Sequence, residues 1–561
     1  MTRTAVALLA GIAAVSAACG GGAPAPSAPV NAAPAAIADP GQRNGSLGTL
    51  AFPNSGAVAA QDDFLRGVAW LHSFGYEDAI AAFRAAQTKD PGFALAYWGE
   101  ALAFSQPLWY FEEPEQGRAA LAKLGDTPAR RLAKAPTDRE KGYLRAVEAL
   151  WGPGDRLVRA QGFADAMAAV AAAHPADDEA QVFYALALLA TMPRGDQSLP
   201  IREKAGAIAE AVFARNPQHP GAAHLILHAY DHGQLAAKGL AAARAYAAIA
   251  PASSHALHMP AHFFLQLGLW REAAASDQAS WDASVAWVDR GRRSVVQRDF
   301  HSLAWLQYEL TQLGRFKDAQ RIALEVDKAL AVVTTTDLIG GHHYADSEIG
   351  RGSGRLALQN DKGSMRARWV VESQQWEVMR DQNGFDNLDE LFVVGLAALR
   401  LKDAPRAQAV RAELQKASAP GMDAGLREQS TILLLELEAV AAVLDELPGV
   451  ARSKMDEATR LQALMPKPIG RPFPVKGADE LYGELLLELG APKDAVGWFE
   501  KTLARTPNRS RAVLGLARAA GRAGDRDTSR RMYTQFLDNW RDADPDLPEL
   551  AEARRALAAK P

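Results

Sequence analysis

The stretch AQDDFLRGVAWLHSFGYEDAIAAFRAAQTKDP, residues 60–91, decides the fold. Counting Ala60 as position one, small Gly67 falls at eight, Ala79 at twenty, Phe83 at twenty-four, Ala86 at twenty-seven and Pro91 at thirty-two. Small residues let two antiparallel helices approach closely, an aromatic ring fills the space left between them, and a proline ends the second helix. The segment that follows, FALAYWGEALAFSQPLW over 93–109, is expected to continue the array as helix.

The far end of the chain repeats this spacing independently. In KGADELYGELLLELGAPKDAVGWFEKTLARTP, residues 476–507, the matching positions are Gly483, Gly490, Ala495, Phe499 and Pro507. Residues 511–540, RAVLGLARAAGRAGDRDTSRRMYTQFLDNW, match at Leu516, Ala517, Gly524 and Tyr533. Weaker copies centre on Gly268 with Ala273 and on Gly314 with Ala319, and a further helix pair is expected from Asn387 to Lys416. A period of about 34 residues with these small and aromatic positions is the tetratricopeptide (TPR) pattern. No alternating strand segment of useful length occurs, so the fold class is all-α, a TPR-like helical-repeat solenoid. Stacked repeats bury their cores against neighbours and curve to leave a concave groove.

Punctuation divides the chain. Residues 1–18 read as a signal peptide, 19–58 as an Ala/Pro/Gly-rich tether, 59–447 as N-terminal and central repeats with a histidine-rich centre, 448–475 as a Pro-rich joint and 476–561 as C-terminal repeats. Loops are expected at Ala133–Pro136, Trp151–Asp155 and Met192–Pro200, and Pro448–Ser453 with the Pro-rich LMPKPIGRPFPVKG marks the joint before the C-terminal repeats. Arg3 followed by an apolar run from Ala5 to Val15 and small residues is a secretory signal, too short to span a bilayer. The one cysteine, Cys19, rules out an intramolecular disulfide and stands where cleavage after Ala18 would leave it N-terminal. The arrangement resembles a bacterial lipoprotein signal, with Ser16 where a leucine is usual, and implies lipidation at Cys19. Gly20 after it implies an exported, periplasmic protein anchored to the outer membrane. With 48% apolar and 23% charged residues and a net charge of −4, the chain is ordinary in composition and carries no basic block. A nucleic-acid partner is therefore not expected.

The chain resembles a family of bacterial exported TPR proteins of unassigned activity. The resemblance rests on AYWGEAL (96–102), NPQHPGAAHLILHAYD (216–231), HALHMPAHFFLQLGLW (255–270), HSLAWLQYELTQLGR (301–315) and PNRSRAVLGLARAA (507–520). It implies a TPR-like solenoid and supplies neither a substrate nor a catalytic residue.

The two histidine motifs are where chemistry concentrates. Seven of the twelve histidines lie between His219 and His262. His224, His228 and Asp231 share a helix face at i, i+4 and i+7, and His255, His258 and His262 do so at i, i+3 and i+7. Two imidazoles at i, i+4 project about 6 Å apart and can share a metal, and a pair from each of two neighbouring helices would complete four ligands. His224, His228, His258 and His262 are the expected set, with Asp231 and His255 behind them or as alternates. Imidazole with carboxylate suits Zn, Cu, Ni or Fe. The competing account makes them core histidines bonded to backbone carbonyls, with Pro260 breaking the helix between His258 and His262.

Other constellations carry less. His342, His343, Asp346 and Glu348 read as a helix start with acidic first-turn residues. His301, preceded by Asp299, could face the central cluster from the next repeat, and His72 is expected to pack within its own helix pair. Ser253 and Ser254 read as a helix N-cap. Gly350–Arg355, GRGSGR, follows no strand and lacks the lysine of a phosphate loop. Trp98, Trp109, Tyr110, Trp151, Trp270, Trp281 and Trp305 are at core spacing more than at groove spacing. The leading expectation is a scaffold that binds a protein or peptide partner on its concave face. The alternative is a metal-binding protein or metal-dependent enzyme using the central histidines. A structural envelope role is a third reading.

Overall fold

The structure, a computed structural model, describes residues 47–334, 337 and 353–558. The signal peptide, Cys19, most of the tether and the His342–Glu348 cluster lie outside the described residues. Among the described residues there are twenty-five α-helices, three short 3-10 turns and one hairpin, Ser105–Gln106 against Phe111–Glu112. None of these helices is long and apolar enough to cross a membrane. The chain is an all-α solenoid of TPR-type helix pairs.

Seven pairs share one turn. They are Val58–His72 with Tyr76–Lys89, Ser254–Gln266 with Trp270–Gly291, Phe300–Gln312 with Phe316–Val332, Leu388–Arg400 with Ala404–Ala417, Ala424–Leu444 with Pro448–Leu464, Ala478–Glu488 with Pro492–Arg505, and Ser510–Ala523 with Arg526–Asn539. Two residues before each second helix the backbone enters the left-handed region: Gly268, Gly314, Gly490 and Gly524 in four turns, Phe74, Lys402 and Glu446 in three. The next N–H then reaches back to a carbonyl five residues earlier, as from Gly75 to Trp70 (2.8 Å), Leu269 to Phe264 (2.7 Å) and Ala491 to Leu486 (2.8 Å). This is the Schellman closure, which satisfies carbonyls left over at a helix end.

The packing explains the repeat spacing. A Cβ on Gly67 would sit 2.8 Å from the Phe83 ring, and one on Gly99 2.3 Å from it. The same pair of approaches, 2.9 and 2.2 Å, joins Gly483 and Gly515 to Phe499. Each phenylalanine is thus wedged between the position-eight glycine of its own repeat and the position-six glycine of the next, which is how one repeat locks to its neighbour.

Three expectations about local structure are corrected. The helix starting at Ala94 stops at Ala103, because Pro107 and the following residues form the hairpin and its turn. Pro448–Ser453 does not break the array as a joint would: Pro448 takes the first position of a helix that runs to Leu464, where a missing N–H does no harm, so only the latter part of the joint is irregular. Pro260 does not break its helix, which runs continuously from Ser254 to Gln266.

The array closes on itself. Val58–His72 lies against Pro220–Tyr230, where a Cβ on Gly221 would be 2.3 Å from His72 Nδ1. Thr49 N–H donates to Gln218 O (2.8 Å) and Ser253 Oγ to Ser73 O (3.3 Å). Further along, Trp270 Nε1 donates to Asn508 O (2.7 Å) and Trp540 Nε1 to Gln312 O (3.1 Å), so the C-terminal repeats dock on the central ones. Where the first turn closes, its inner wall is filled by buried histidine and aromatic side chains rather than left as a groove.

Candidate metal centre

The helices Pro220–Tyr230 and Ser254–Gln266 carry the two histidine motifs on this inner wall, and Phe300–Gln312 adds a third segment. Ser253 caps the second helix by accepting from Ala256 N–H (3.2 Å), as its sequence position predicts. The structure groups the histidines differently from the expected four-ligand set. His224 and His228 join His255 in one triad, and His258 and His262 join His301 in another. Within each triad one nitrogen per residue lies within 4.8 Å of the others. His255 and His258 are one helical turn apart, so the two triads are neighbours.

In the first triad, His224 Nδ1 is 2.6 Å from the carbonyl oxygen of His72. That acceptor fixes the hydrogen on Nδ1 and turns the bare Nε2 toward His255 Nε2, 2.9 Å away. His228 Nε2 is shielded from solvent and has no hydrogen-bond partner among the described residues. Phe74 stacks on His228 and His255 with ring centroids 5.2 and 5.5 Å away, and meets His224 edge-on at 4.3 Å. Tyr246 stacks on the other side of His224, and Trp109 meets His255 edge-on. Burial in this apolar shell carries His224 down to about 3, the bond to the His72 carbonyl opposing it, and pushes His228 well below its ordinary value.

In the second triad, His258 Nδ1 lies 2.5 Å from Asp277 Oδ1, and His262 Nδ1 lies 2.9 Å from Asp231 Oδ2. Their Nε2 atoms face each other at 3.0 Å. Gln266 Nε2 donates to the other oxygen of Asp231 (2.8 Å) and fixes it. The His301 ring centre is 4.7 Å from that of His258, and Trp305 covers His262 at 4.4 Å. Burial pushes His301 well below its ordinary value and pushes Asp277 and Glu309, which lie against each other, well above theirs. Asp231 thus stands behind His262, one of the two places expected for it, and His255 groups with His224 and His228.

A third cluster, His72, Glu179 and His219, meets the same distance criterion and is chemically different. His219 Nδ1 accepts the N–H of Ala222 (3.2 Å), so in the neutral ring its hydrogen is on Nε2, which faces Glu179 Oε1 at 3.2 Å. His72 Nε2 is 2.6 Å from Glu179 Oε2. Glu179 hydrogen-bonds His72, lies within ion-pair distance of His219 and ties three helices together. His72 therefore does not pack within its own helix pair, as expected, but pairs across the closed turn.

Spacing alone pointed to five of the six triad histidines, and Asp299 beside His301 pointed to the sixth. Asp277, Glu179 and Phe74 carry no such signal except one: Phe74 stands where four other repeat turns have glycine. Trp98, Trp109, Trp151, Trp270, Trp281 and Trp305 are buried, in keeping with core spacing.

No family model matches the sequence, and no curated protein matches it either. Among solved structures, yeast Tom70 is similar at 14% identity and a TM-score of 0.32, covering 89% of this chain and 96% of that one. Cut9 in its complex with Hcn1 is similar at 12% identity and 0.35, covering 89% and 83%. Human IFIT1 is similar at 12% identity and 0.32, covering 90% and 92%.

Proposed function

We propose that this chain is a metal-binding helical-repeat protein, with one ion held by His224, His228 and His255 and a second by His258, His262 and His301. One observation carries the reading. In both triads two Nε2 atoms face each other at 2.9–3.0 Å while oxygen atoms stand against the opposite nitrogens of His224, His258 and His262. Neutral imidazoles that carry their hydrogens on those outer nitrogens turn lone pairs inward, His262 toward His258, and His224 toward His255 beside the buried His228 Nε2 that has no hydrogen-bond partner among the described residues, and a cation satisfies such lone pairs. Imidazole sets suit Zn, Cu, Ni or Fe.

Elemental analysis by plasma mass spectrometry, on protein prepared without chelator or His tag, tests this. One ion per triad is expected in the wild type and a loss in the folded His224→Ala/His258→Ala variant. A folded wild type that stays metal-free after dialysis against Zn(II) and Cu(II) overturns the reading.

The repeat array also supports a second reading, a scaffold for a protein or peptide partner. Leu444, Leu447 and Val450 are exposed around a single turn, between 44 and 50% each. A photo-crosslinker at Leu447 that captures no discrete partner in the producing cell counts against it. Export and lipid anchoring at Cys19 complete the proposal, and labelled fatty acid that persists in Cys19→Ser removes the anchor.

A further inference from the structure

We infer that Arg368, with Arg471 beside it, forms a site for a small monocarboxylate where the C-terminal repeats dock on the central ones, next to the second histidine triad. This goes beyond the metal-binding reading and does not rest on it.

Three arginines are buried at this docking surface: Arg368, Arg509 and Arg511, each no more than 5% exposed. Two of them use every guanidinium nitrogen. Arg509 donates from Nε to Glu480 (2.5 Å), from Nη1 to the Tyr308 hydroxyl (3.1 Å) and from Nη2 to Glu372 (2.7 Å). Arg511 donates from Nε (2.8 Å) and Nη2 to the Glu372 carbonyl and from Nη1 to Glu549 (2.7 Å). Arg368, on the helix Gly354–Ser373, differs. Its Nη2 donates to Pro472 O (2.8 Å), while Nε and Nη1 are shielded from solvent and have no hydrogen-bond partner among the described residues. Asp389 Oδ2 stands 3.9 Å from Nη2, near enough for charge but not for a hydrogen bond, and Asp389 Oδ1 also lacks a hydrogen-bond partner among the described residues. The two side chains therefore do not satisfy each other. Buried N–H groups are nearly always bonded, and leaving those of a cation unmade is the costliest case.

The fork geometry names the missing partner. Nη2 carries a hydrogen on each edge of the guanidinium, one beside Nε–H and one beside Nη1–H. The Pro472 carbonyl takes one of them, so one edge keeps two parallel donors, the match for two oxygens of a carboxylate. The Tyr308 ring lies against the flat face of Arg368, 5.4 Å away. A second cation stands close by. Arg471 belongs to the Pro-rich joint, next to the Pro472 that Arg368 holds, and it bears electrostatically on Arg368, Asp389 and His301. A Cβ on the preceding residue, Gly470, would lie 2.5 Å from Trp305, the ring that covers His262. An anion between two like charges in a dry interior relieves both. One negative charge suits the place better than two, because Asp389 and Glu372 also bear on Arg368 and would repel a dianion. The place is open to solvent at its edge, where Arg471 is half-buried and 14% of the Asp389 side chain is exposed.

Saturation-transfer NMR with acetate, on chelator-treated full-length protein, tests the site without any contribution from bound metal. The acetate methyl signal is expected to receive saturation from the wild type. Arg368→Lys keeps the charge and loses the fork, and should weaken acetate by about 10–100-fold. Arg471→Gln should weaken it as well, and Arg511→Lys, a control at the same docking surface, should leave it unchanged. Far-UV circular dichroism and a single urea transition select variants that remain folded. A wild type that transfers no saturation to acetate overturns the site, and so does a folded Arg368→Lys or Arg471→Gln that binds acetate as the wild type does. Sulfate displacing acetate from the wild type at a lower concentration than acetate itself needs overturns the choice of a monoanion.

Discussion

What a histidine can do with one nitrogen is decided by what holds the other. His219 shares an inner wall with His224 and is equally buried, yet its Nδ1 caps a helix while that of His224 faces a carbonyl. The first leaves a hydrogen on Nε2, the second a lone pair, and so one ring faces a carboxylate and the other is free to accept. The same burial makes His224 titrate out of its ordinary range. His224 sits at about 3 against an ordinary 6.5, so between those values the unfolded chain binds the proton that the folded chain refuses. Its stabilising share is complete above pH 6.5 and is lost as pH falls toward 3, by about 1.4 kcal/mol per unit for each such histidine. Urea unfolding of chelator-treated protein should therefore show a marked loss between pH 7 and 5, reduced in His224→Gln. Equal stability at both values would mean that the rings are protonated or hydrated in the fold. The i, i+4 pairs were legible in the sequence because helical spacing alone brings them together. Asp277 was not, since an aspartate within a helix reads as a solvated one until the neighbouring helix is known to lie over it.

At the scale of the helix pair, the repeat was legible for a steric reason. Gly67, Gly99, Gly483 and Gly515 must be glycine where Phe83 and Phe499 enter, and such a constraint writes itself into the chain at a fixed period. The Ser105–Glu112 hairpin was not legible, because two-residue strands leave no alternation to detect. Phe74 is the informative departure. A phenylalanine in the left-handed region, at φ 55°, gives up about 1–2 kcal/mol that glycine would recover. Strain of this kind persists where surrounding structure requires it, and here the ring it presents is the cover over three histidines. Phe74→Gly should relieve the backbone and lose the buried ring, a net destabilisation of about 1–4 kcal/mol. Loss of metal to an external chelator should become faster in the same variant, as measured by stopped-flow. Unchanged release would reduce Phe74 to a core residue in an unfavourable turn.

At the scale of the whole molecule, the array closes on itself, and among the described residues its first turn is filled with buried side chains. Sequence patterns report neighbours in the chain, and the contacts that close this fold join residues some 150 to 240 positions apart, such as His72 with His224 and Trp270 with Asn508. Arg509 is the charged centre of the second closure. It comes from the C-terminal repeats, and its guanidinium bonds Glu480 (2.5 Å), Glu372 (2.7 Å) and the Tyr308 hydroxyl (3.1 Å). Lys476 also pairs with Glu480 (2.6 Å), so removing Arg509 leaves Glu480 with a partner and strands Glu372. A buried carboxylate abandoned in this way costs about 3–5 kcal/mol. Arg509→Ala should destabilise the protein by that amount, and Glu372→Gln added to it should restore a substantial part, because a neutral amide no longer needs the cation. A double-mutant cycle by urea unfolding measures the coupling, expected between about 1 and 3 kcal/mol. If the two substitutions simply add, the closure is held by the Trp270 and Trp540 contacts and the ion cluster is incidental. If they couple, the charge buried between central and C-terminal repeats is what fixes the superhelix, and with it the alignment of the helix that lends His301 to the second triad.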